Sequence, residues 1–342
     1  MHHGTQAGRA ARPRAAFAMH DGLQHSLFDA DAMAELTRLF DIDVSQSIHD
    51  FDATDPKQLD SLDVLITGWG APRIDSPELE RMPGLRAIFH AAGTVKAHLA
   101  PAVWDRDILV TTAAAANAYP VAEYTLAMIL LAGKDVIPII RDYRMTADVD
   151  VVAGYPGMGN YRRTIGIIGA STVGRLVIDL LEPFDFEVLL YDPVIDSTDP
   201  LLARVRHVGL DELFAQSSIV SIHAPLLAET RGMVGAPELA LLPDGATLIN
   251  TARAAIVDQD ALAVAVRDGR VRAILDVTDP EPLPIDDPLR ASDAVLLTPH
   301  IAGALGNELL RLGMSALREA ELFVAGQPPA FPVHKSDLIA MA

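Results

Sequence analysis

The stretch Thr164-Ile165-Gly166-Ile167-Ile168-Gly169-Ala170-Ser171-Thr172-Val173-Gly174-Arg175-Leu176-Val177-Ile178-Asp179-Leu180-Leu181 decides the fold. Thr164 to Gly169 is short, continuous and apolar, as a strand buried on both faces should be. From Thr172 to Pro183 the period changes, with Val173, Leu176, Val177, Leu180 and Leu181 recurring at helical spacing. The alternation continues downstream. Strands are predicted at Glu187 to Asp192, Ile219 to His223, Thr247 to Thr251, Val271 to Val277 and Val295 to Thr298, with helices at Leu210 to Gln216 and Asp258 to Asp268. Strands separated by helices require right-handed crossovers and a mostly parallel, doubly wound sheet.

A smaller cycle of the same kind precedes it. Asp63 to Gly68, Leu85 to Ala91 and Ile108 to Thr112 read as strands, and Asp29 to Leu39 and Ala97 to Asp105 as helices. Between the cycles, Val121, Tyr124, Thr125, Met128 and Leu131 predict one long helix over Tyr119 to Arg144, kinked or split at Pro138. A last helix, Leu309 to Ala325, has no strand of its own and is expected to return to the first cycle. The fold class is therefore α/β, with two Rossmann-like or flavodoxin-like parallel-sheet domains. Residues 118–301 are expected to be inserted into a domain built from 17–117 plus 302–342, and a length of 342 residues agrees with two domains.

Composition narrows the function. Half the residues are hydrophobic and 21% charged, which suits a soluble globular protein. A formal charge of -19 repels phosphate backbones, so no nucleic-acid partner is expected. The absence of Cys excludes disulfides and thiolate metal sites, and no metal is expected. The longest apolar run, near Leu126 to Ala132, falls short of a membrane span, so the expected location is cytoplasmic. The first sixteen residues place Arg9, Arg12 and Arg14 among Ala and Gly. They read as a frayed tail or an early start, with an Arg-rich transit peptide as the alternative.

Gly169-Ala170-Ser171-Thr172-Val173-Gly174 falls between a strand and a helix, where a dinucleotide pyrophosphate rests on the helix N-terminus. Ser171 stands where the G-x-G-x-x-G pattern has its middle Gly. The next strand ends in Asp192, at the distance expected for an acid that accepts the adenosine ribose hydroxyls. Pro193, Val194 and Ile195 follow, with no Arg or Lys beside them to receive a 2′-phosphate, which favours NAD over NADP. Three ionisable residues then stand at or beyond the ends of successive strands: Arg253, Glu281 and His300. In an open α/β sheet, ligands bind outside the carboxyl ends of the strands, so all three can face one cleft.

Ser221-Ile222-His223-Ala224-Pro225, Glu229-Thr230-Arg231-Gly232, Asn250-Thr251-Ala252-Arg253, Asp276-Val277 with Glu281-Pro282, and Thr298-Pro299-His300-Ile301-Ala302-Gly303 occur in this order. As a set they resemble the D-isomer-specific 2-hydroxyacid dehydrogenases, over roughly Asp63 to Ala325. The resemblance implies hydride transfer between NAD and a small 2-keto or 2-hydroxy acid. It makes His300 the acid/base, Glu281 its partner, and Arg253 the ligand of the substrate carboxylate and carbonyl. The substrate carboxylate would also take backbone amides from the loop at Ala92, Gly93 and Thr94, and Trp69 either lines the substrate cleft or packs in the core. Cofactor contacts are expected from Gly169, Ser171, Thr172, Val173, Gly174, Asp192, His223, Ala224, Pro225, Thr230, Thr251, Ala252, Arg253, Asp276, His300 and Gly303. Closure of the two domains would exclude water. The apolar Tyr119 to Arg144 segment, with the resemblance, points to a homodimer. Two alternatives stay open: an NAD-sensing corepressor-like binding protein, and a biosynthetic dehydrogenase for an unusual acid such as a phosphonate.

Overall fold

The computed structural model describes residues 12–146, 149–267, 269–339 and 341, whose strands form two all-parallel sheets in two separate units. One unit holds the described residues up to Asn117 together with Leu305–Met341, and the other holds Ala118–Ala304.

In the first unit, β1 (Ala15–Ala18), β2 (Val64–Thr67), β3 (Ala87–His90) and β4 (Leu109–Thr112) pair in that order. Leu65, Ile88 and Val110 pack with Ile74, Leu79 and Leu99 in its core. The strand β1 has no counterpart in the sequence reading, because an Ala-rich run carries little β propensity by itself. It is set by register against Val64–Thr67, and Asp63 Oδ2 accepts the Arg14 amide at 2.8 Å. Ala15 and Ala16 are thus part of the sheet and Arg14 bridges Asp41, rather than fraying, while residues 1–11, with Arg9, lie outside the described residues. The helix expected over Ala97 to Asp105 is a 3-10 turn at Pro101–Arg106. Bonds from Ile74 N to His98 O and from Ala100 N to Ile74 O draw residues 98–100 into extended pairing instead. The helix Leu309–Val324 packs on the helices Gln24–Leu27 and Ala30–Leu39 and on β3 and β4, so the chain does return to this unit. At Gly313 a Cβ would stand 1.7 Å from Leu27 O, which is why glycine occupies that crossing.

The second unit contains β5 (Thr164–Ile168), β6 (Glu187–Tyr191), β7 (Arg206–His207), β8 (Ile219–Ile222), β9 (Thr247–Asn250), β10 (Arg272–Leu275) and β11 (Val295–Leu297). Their order is β11-β10-β9-β8-β5-β6-β7. Both faces of the sheet are covered: Ile165 and Ile167 join Val177 and Leu181, whereas Ile168 joins Val220 and Leu248. The chain winds outward from β5 in both directions, so the loops after β5 and β8 diverge at a switch point, where such sheets bind ligands. The sequence reading lacks β7, a two-residue exposed edge pair with no apolar signature. The long helix is split in two, Ala114–Gly133 and Val136–Met145. The break falls at Asp135, whose φ is 50°, and not at Pro138, which sits in the first turn where its missing N–H is no loss. Ala302–Ala304 stays with this unit, three residues later than expected, because the Ala302 amide is bonded to Asp276 Oδ2 at 2.9 Å. Among the described residues, no helix is long and apolar enough to cross a membrane.

Candidate active site

The glycine loop after β5 is shaped by two close approaches. Gly169 has φ of 97°, and a Cβ there would meet Ala224 N at 2.8 Å. A Cβ on Gly174 would stand 2.0 Å from Gly169 O, so the helix Thr172–Leu181 can reach the strand only with glycine at this point. Ser171 needs no such freedom: φ is −64° and ψ 175°, and its Oγ accepts the Gly174 amide at 3.3 Å as the helix N-cap. The middle glycine of the usual pattern has been replaced by a capping residue. The Thr172 and Val173 amides complete a first turn whose dipole favours an anion. This cradle, which a Cβ would fill at either terminal glycine, fits a dinucleotide pyrophosphate.

Asp192 follows β6, half-buried. Its Oδ2 accepts the Ala170 amide at 2.7 Å and its Oδ1 the Val194 amide at 2.9 Å, leaving acceptor capacity on both oxygens. The sequence reading of no cation near Asp192 needs correction. Arg175 reaches the same end from the neighbouring helix, donating to Ala170 O at 2.9 Å and forking onto Asp199 at 3.1 and 2.5 Å. Proximity in sequence could not show it, because it arrives from a different element.

Beyond β8, the buried His223 shares a hydrogen bond with Ser221 Oγ at 2.9 Å. Burial pushes its ring down to a pKa of about 3, so the ring is neutral near pH 7. Ala224 abuts Gly169, and Thr230 Oγ1 shapes the loop by donating to Pro225 O at 2.6 Å and accepting the Leu227 amide at 2.8 Å. At the end of β9, buried Asn250 forms an Asx turn: Oδ1 accepts the Ala252 amide and Nδ2 donates to Arg253 O, both at 3.0 Å. Asn250 has no role assigned from sequence, and its signal there is an Asn two residues before Ala252. Thr251 Oγ1 lies buried against Thr125 Oγ1 at 3.2 Å.

Arg253, Glu281 and His300 follow β9, β10 and β11, three adjacent strands. Among the described residues, the Arg253 guanidinium makes one hydrogen bond, to Ala252 O at 2.6 Å. Burial lowers its pKa, and the charge of Glu281 opposes that shift. His300 Nδ1 stands 3.0 Å from Glu281 Oε1 and 3.2 Å from Oε2, with both side chains substantially exposed. The backbone of His300 is left-handed, with φ of 55°. Such a conformation persists in a non-glycine residue only where its surroundings over-determine it. Here Asp276 does so. Its carbonyl accepts the His300 amide at 3.0 Å, and its carboxylate, 1% exposed, accepts Thr298 Oγ1, Ile301 N and Ala302 N at 2.6, 2.8 and 2.9 Å. The buried Asp276 carboxylate thus fixes the loop that carries His300 and Gly303.

In the first unit, Trp69 follows β2 and is 37% exposed, so the core reading of this residue does not hold. The Ala92-Gly93-Thr94 loop follows β3, and Thr112 Oγ1 bonds the carbonyls of both Ala92 and Gly93. In a trans peptide N–H and C=O point oppositely, so the Gly93 and Thr94 amides face away from Thr112. His90 is buried below them with Nδ1 2.9 Å from Thr67 Oγ1, and burial, reinforced by His98, lowers its pKa to about 3.

Residues 126–302 match the profile of the D-isomer specific 2-hydroxyacid dehydrogenase, NAD binding domain. A glyoxylate reductase of Korarchaeum cryptofilum is 32% identical over 279 residues, covering 80% of this chain and 82% of the relative. A D-3-phosphoglycerate dehydrogenase of Mycobacterium leprae is 30% identical over 258 residues, 75% of this chain and 48% of the relative. The chain thus spans about half the length of the phosphoglycerate dehydrogenases it matches. The crystal structure of a phosphoglycerate oxidoreductase from Rhizobium etli, 24% identical, superposes with a TM-score of 0.81 over 95% of this chain and 99% of its own, which shows the shared fold. With its NAD-binding sheet and the full set of motifs on one sheet edge, the chain belongs to the D-isomer specific 2-hydroxyacid dehydrogenase family.

Proposed function

We propose that the protein interconverts a small 2-keto acid and the corresponding D-2-hydroxy acid. The observation that carries this reading is the His300–Glu281 contact at the sheet edge that also bears Arg253 and the glycine cradle. In this reading the second unit is the NAD-binding domain and the first the substrate-binding domain. Gly169 to Gly174 hold the pyrophosphate, and Asp192 takes the ribose hydroxyls of NAD in preference to NADP. NADH, when bound, supplies the hydride for the carbonyl carbon. His300 supplies the proton from Nε2, because Nδ1 is held by Glu281. Arg253 has free donors in a planar fork, suited to holding the carboxylate and polarising the carbonyl together. The Gly93 and Thr94 amides serve the substrate carboxylate, and Trp69 offers apolar surface to its side chain. A homodimer is part of the same reading: the helix Val136–Met145 exposes Ile140, Tyr143 and Met145, and Val149 and Val152 follow.

The test is NADH oxidation with glyoxylate, pyruvate, hydroxypyruvate and bulkier keto acids. Turnover with any of them supports the reading. A protein that binds NADH and reduces none of them contradicts it and fits an NAD-sensing binding protein instead.

A further inference from the structure

Thr298 Oγ1 carries one proton and has two partners: Asp276 Oδ1 at 2.6 Å and the Tyr124 hydroxyl at 2.8 Å. The Asp276 carboxylate already accepts the Ile301 and Ala302 amides and can only accept from Thr298 as well. The direction of the chain is thereby fixed. Thr298 donates to Asp276, so Tyr124 must donate to Thr298. Tyr124 lies on the helix Ala114–Gly133, half-buried against the end of β11. Burial raises the pKa of the phenol, opposed by the hydrogen bond with Thr298 and aided by the charge of Asp276, so the hydroxyl keeps the proton it donates.

Everything at the far end of this chain belongs to the His300 loop. Residues 298, 300, 301 and 302 each bond to Asp276, through its carboxylate or its carbonyl. We propose that Tyr124 and Thr298 are positioning residues for the reaction. Through the directed chain from the Tyr124 hydroxyl to the Thr298 hydroxyl to the Asp276 carboxylate, they hold the left-handed turn that sets the His300 ring. This rests on the acid/base reading of His300. Neither residue touches the reacting atoms. Their effect is geometric, and a displacement of about 1 Å at a proton-transfer group lowers rate by roughly 10²-fold.

The experiment compares Thr298→Val, Thr298→Ser, Tyr124→Phe and the Tyr124→Phe/Thr298→Val double variant, with His300→Ala alongside, in glyoxylate reduction by NADH. Thr298→Val should lose about 10- to 100-fold in kcat with little change in KM for glyoxylate, and Thr298→Ser should restore most of it. Tyr124→Phe should lose about 3- to 10-fold, and the double variant should match Thr298→Val alone, because Tyr124 acts only through Thr298. A second readout needs no turnover: in the free protein, the Ile301 and Ala302 amides should exchange at least about tenfold faster in Thr298→Val, with protection elsewhere unchanged. Unchanged protection in Thr298→Val, or losses that multiply in the double variant, overturns the proposal. If His300→Ala loses turnover while Thr298→Val keeps it, the positioning proposal alone fails. If His300→Ala keeps full turnover, the acid/base reading fails, and amide exchange still decides whether the chain holds the loop.

Discussion

His300 Nδ1 lies within hydrogen-bonding distance of both Glu281 oxygens, at 3.0 and 3.2 Å, so the Nδ1 proton is held by the carboxylate, and in the proposed reaction Nε2 is the atom that transfers the proton. The contact links two loops that follow adjacent strands, and it orients a ring whose backbone is left-handed. Glu281→Gln keeps an acceptor of similar shape but removes the charge. It should lower kcat by about 10- to 100-fold while leaving NADH affinity within about twofold. Steady-state kinetics together with a fluorescence titration of NADH would check this. Unchanged kcat would make the contact structural only.

The glycine loop separates packing from capping. Gly174→Ala drives a Cβ against Gly169 O, so it should abolish NADH binding or displace the helix that carries the loop. Ser171→Ala removes only the cap and should cost about 1 kcal/mol. The corresponding fall in Tm for this unit is about 2–4 °C, with NADH binding retained. Calorimetry and cofactor titration on the two variants distinguish these outcomes; equal effects would contradict the division of roles.

The proposed preference for NADH over NADPH rests on Asp192. Asp192→Ala should weaken NADH binding and narrow the preference over NADPH by at least about tenfold, roughly the effect of one charge-assisted bond pair. Arg175, near this carboxylate but tied to Asp199, should supply part of any gain in NADPH. Dissociation constants for both cofactors, with and without Arg175→Ala, test this. Equal affinity in the unmodified protein would remove the assignment.

Two buried histidines make stability depend on pH. His90 in the first unit and His223 in the second have pKa values lowered by burial to about 3, against 6.5 for an exposed ring. The unfolded chain therefore binds more protons than the folded one. The contribution is full above pH 6.5 and is lost as pH falls from there towards 3. Each histidine should add a slope of about 1.4 kcal/mol per pH unit to the unfolding of its own unit. Denaturation between pH 7 and 4.5 should show it, with His90→Asn and His223→Gln each flattening the slope of one transition.

What the sequence revealed follows from where the physical signal is local. Thr164 to Ile168 is legible because a strand covered on both faces is continuously apolar, and Arg253, Glu281 and His300 because each stands just past such a run. The signal fails where geometry comes from partners. Ala15–Ala18 becomes a strand only through pairing with Val64–Thr67. The helix break depends on Asp135, which is left-handed and ion-paired with Arg272 from β10. Arg175 reaches the loop from a helix face. The role of Asp276 appears only when residues 298–302 fold back onto it.

The most direct measurement is turnover of His300→Ala with the keto acid that the native protein reduces fastest, beside its NADH dissociation constant. If His300 gives the proton, kcat should fall by about 10²- to 10⁴-fold while NADH binding stays within about twofold. Native turnover in His300→Ala would contradict the account, leaving the His300–Glu281 pair a structural feature of an NAD-binding protein.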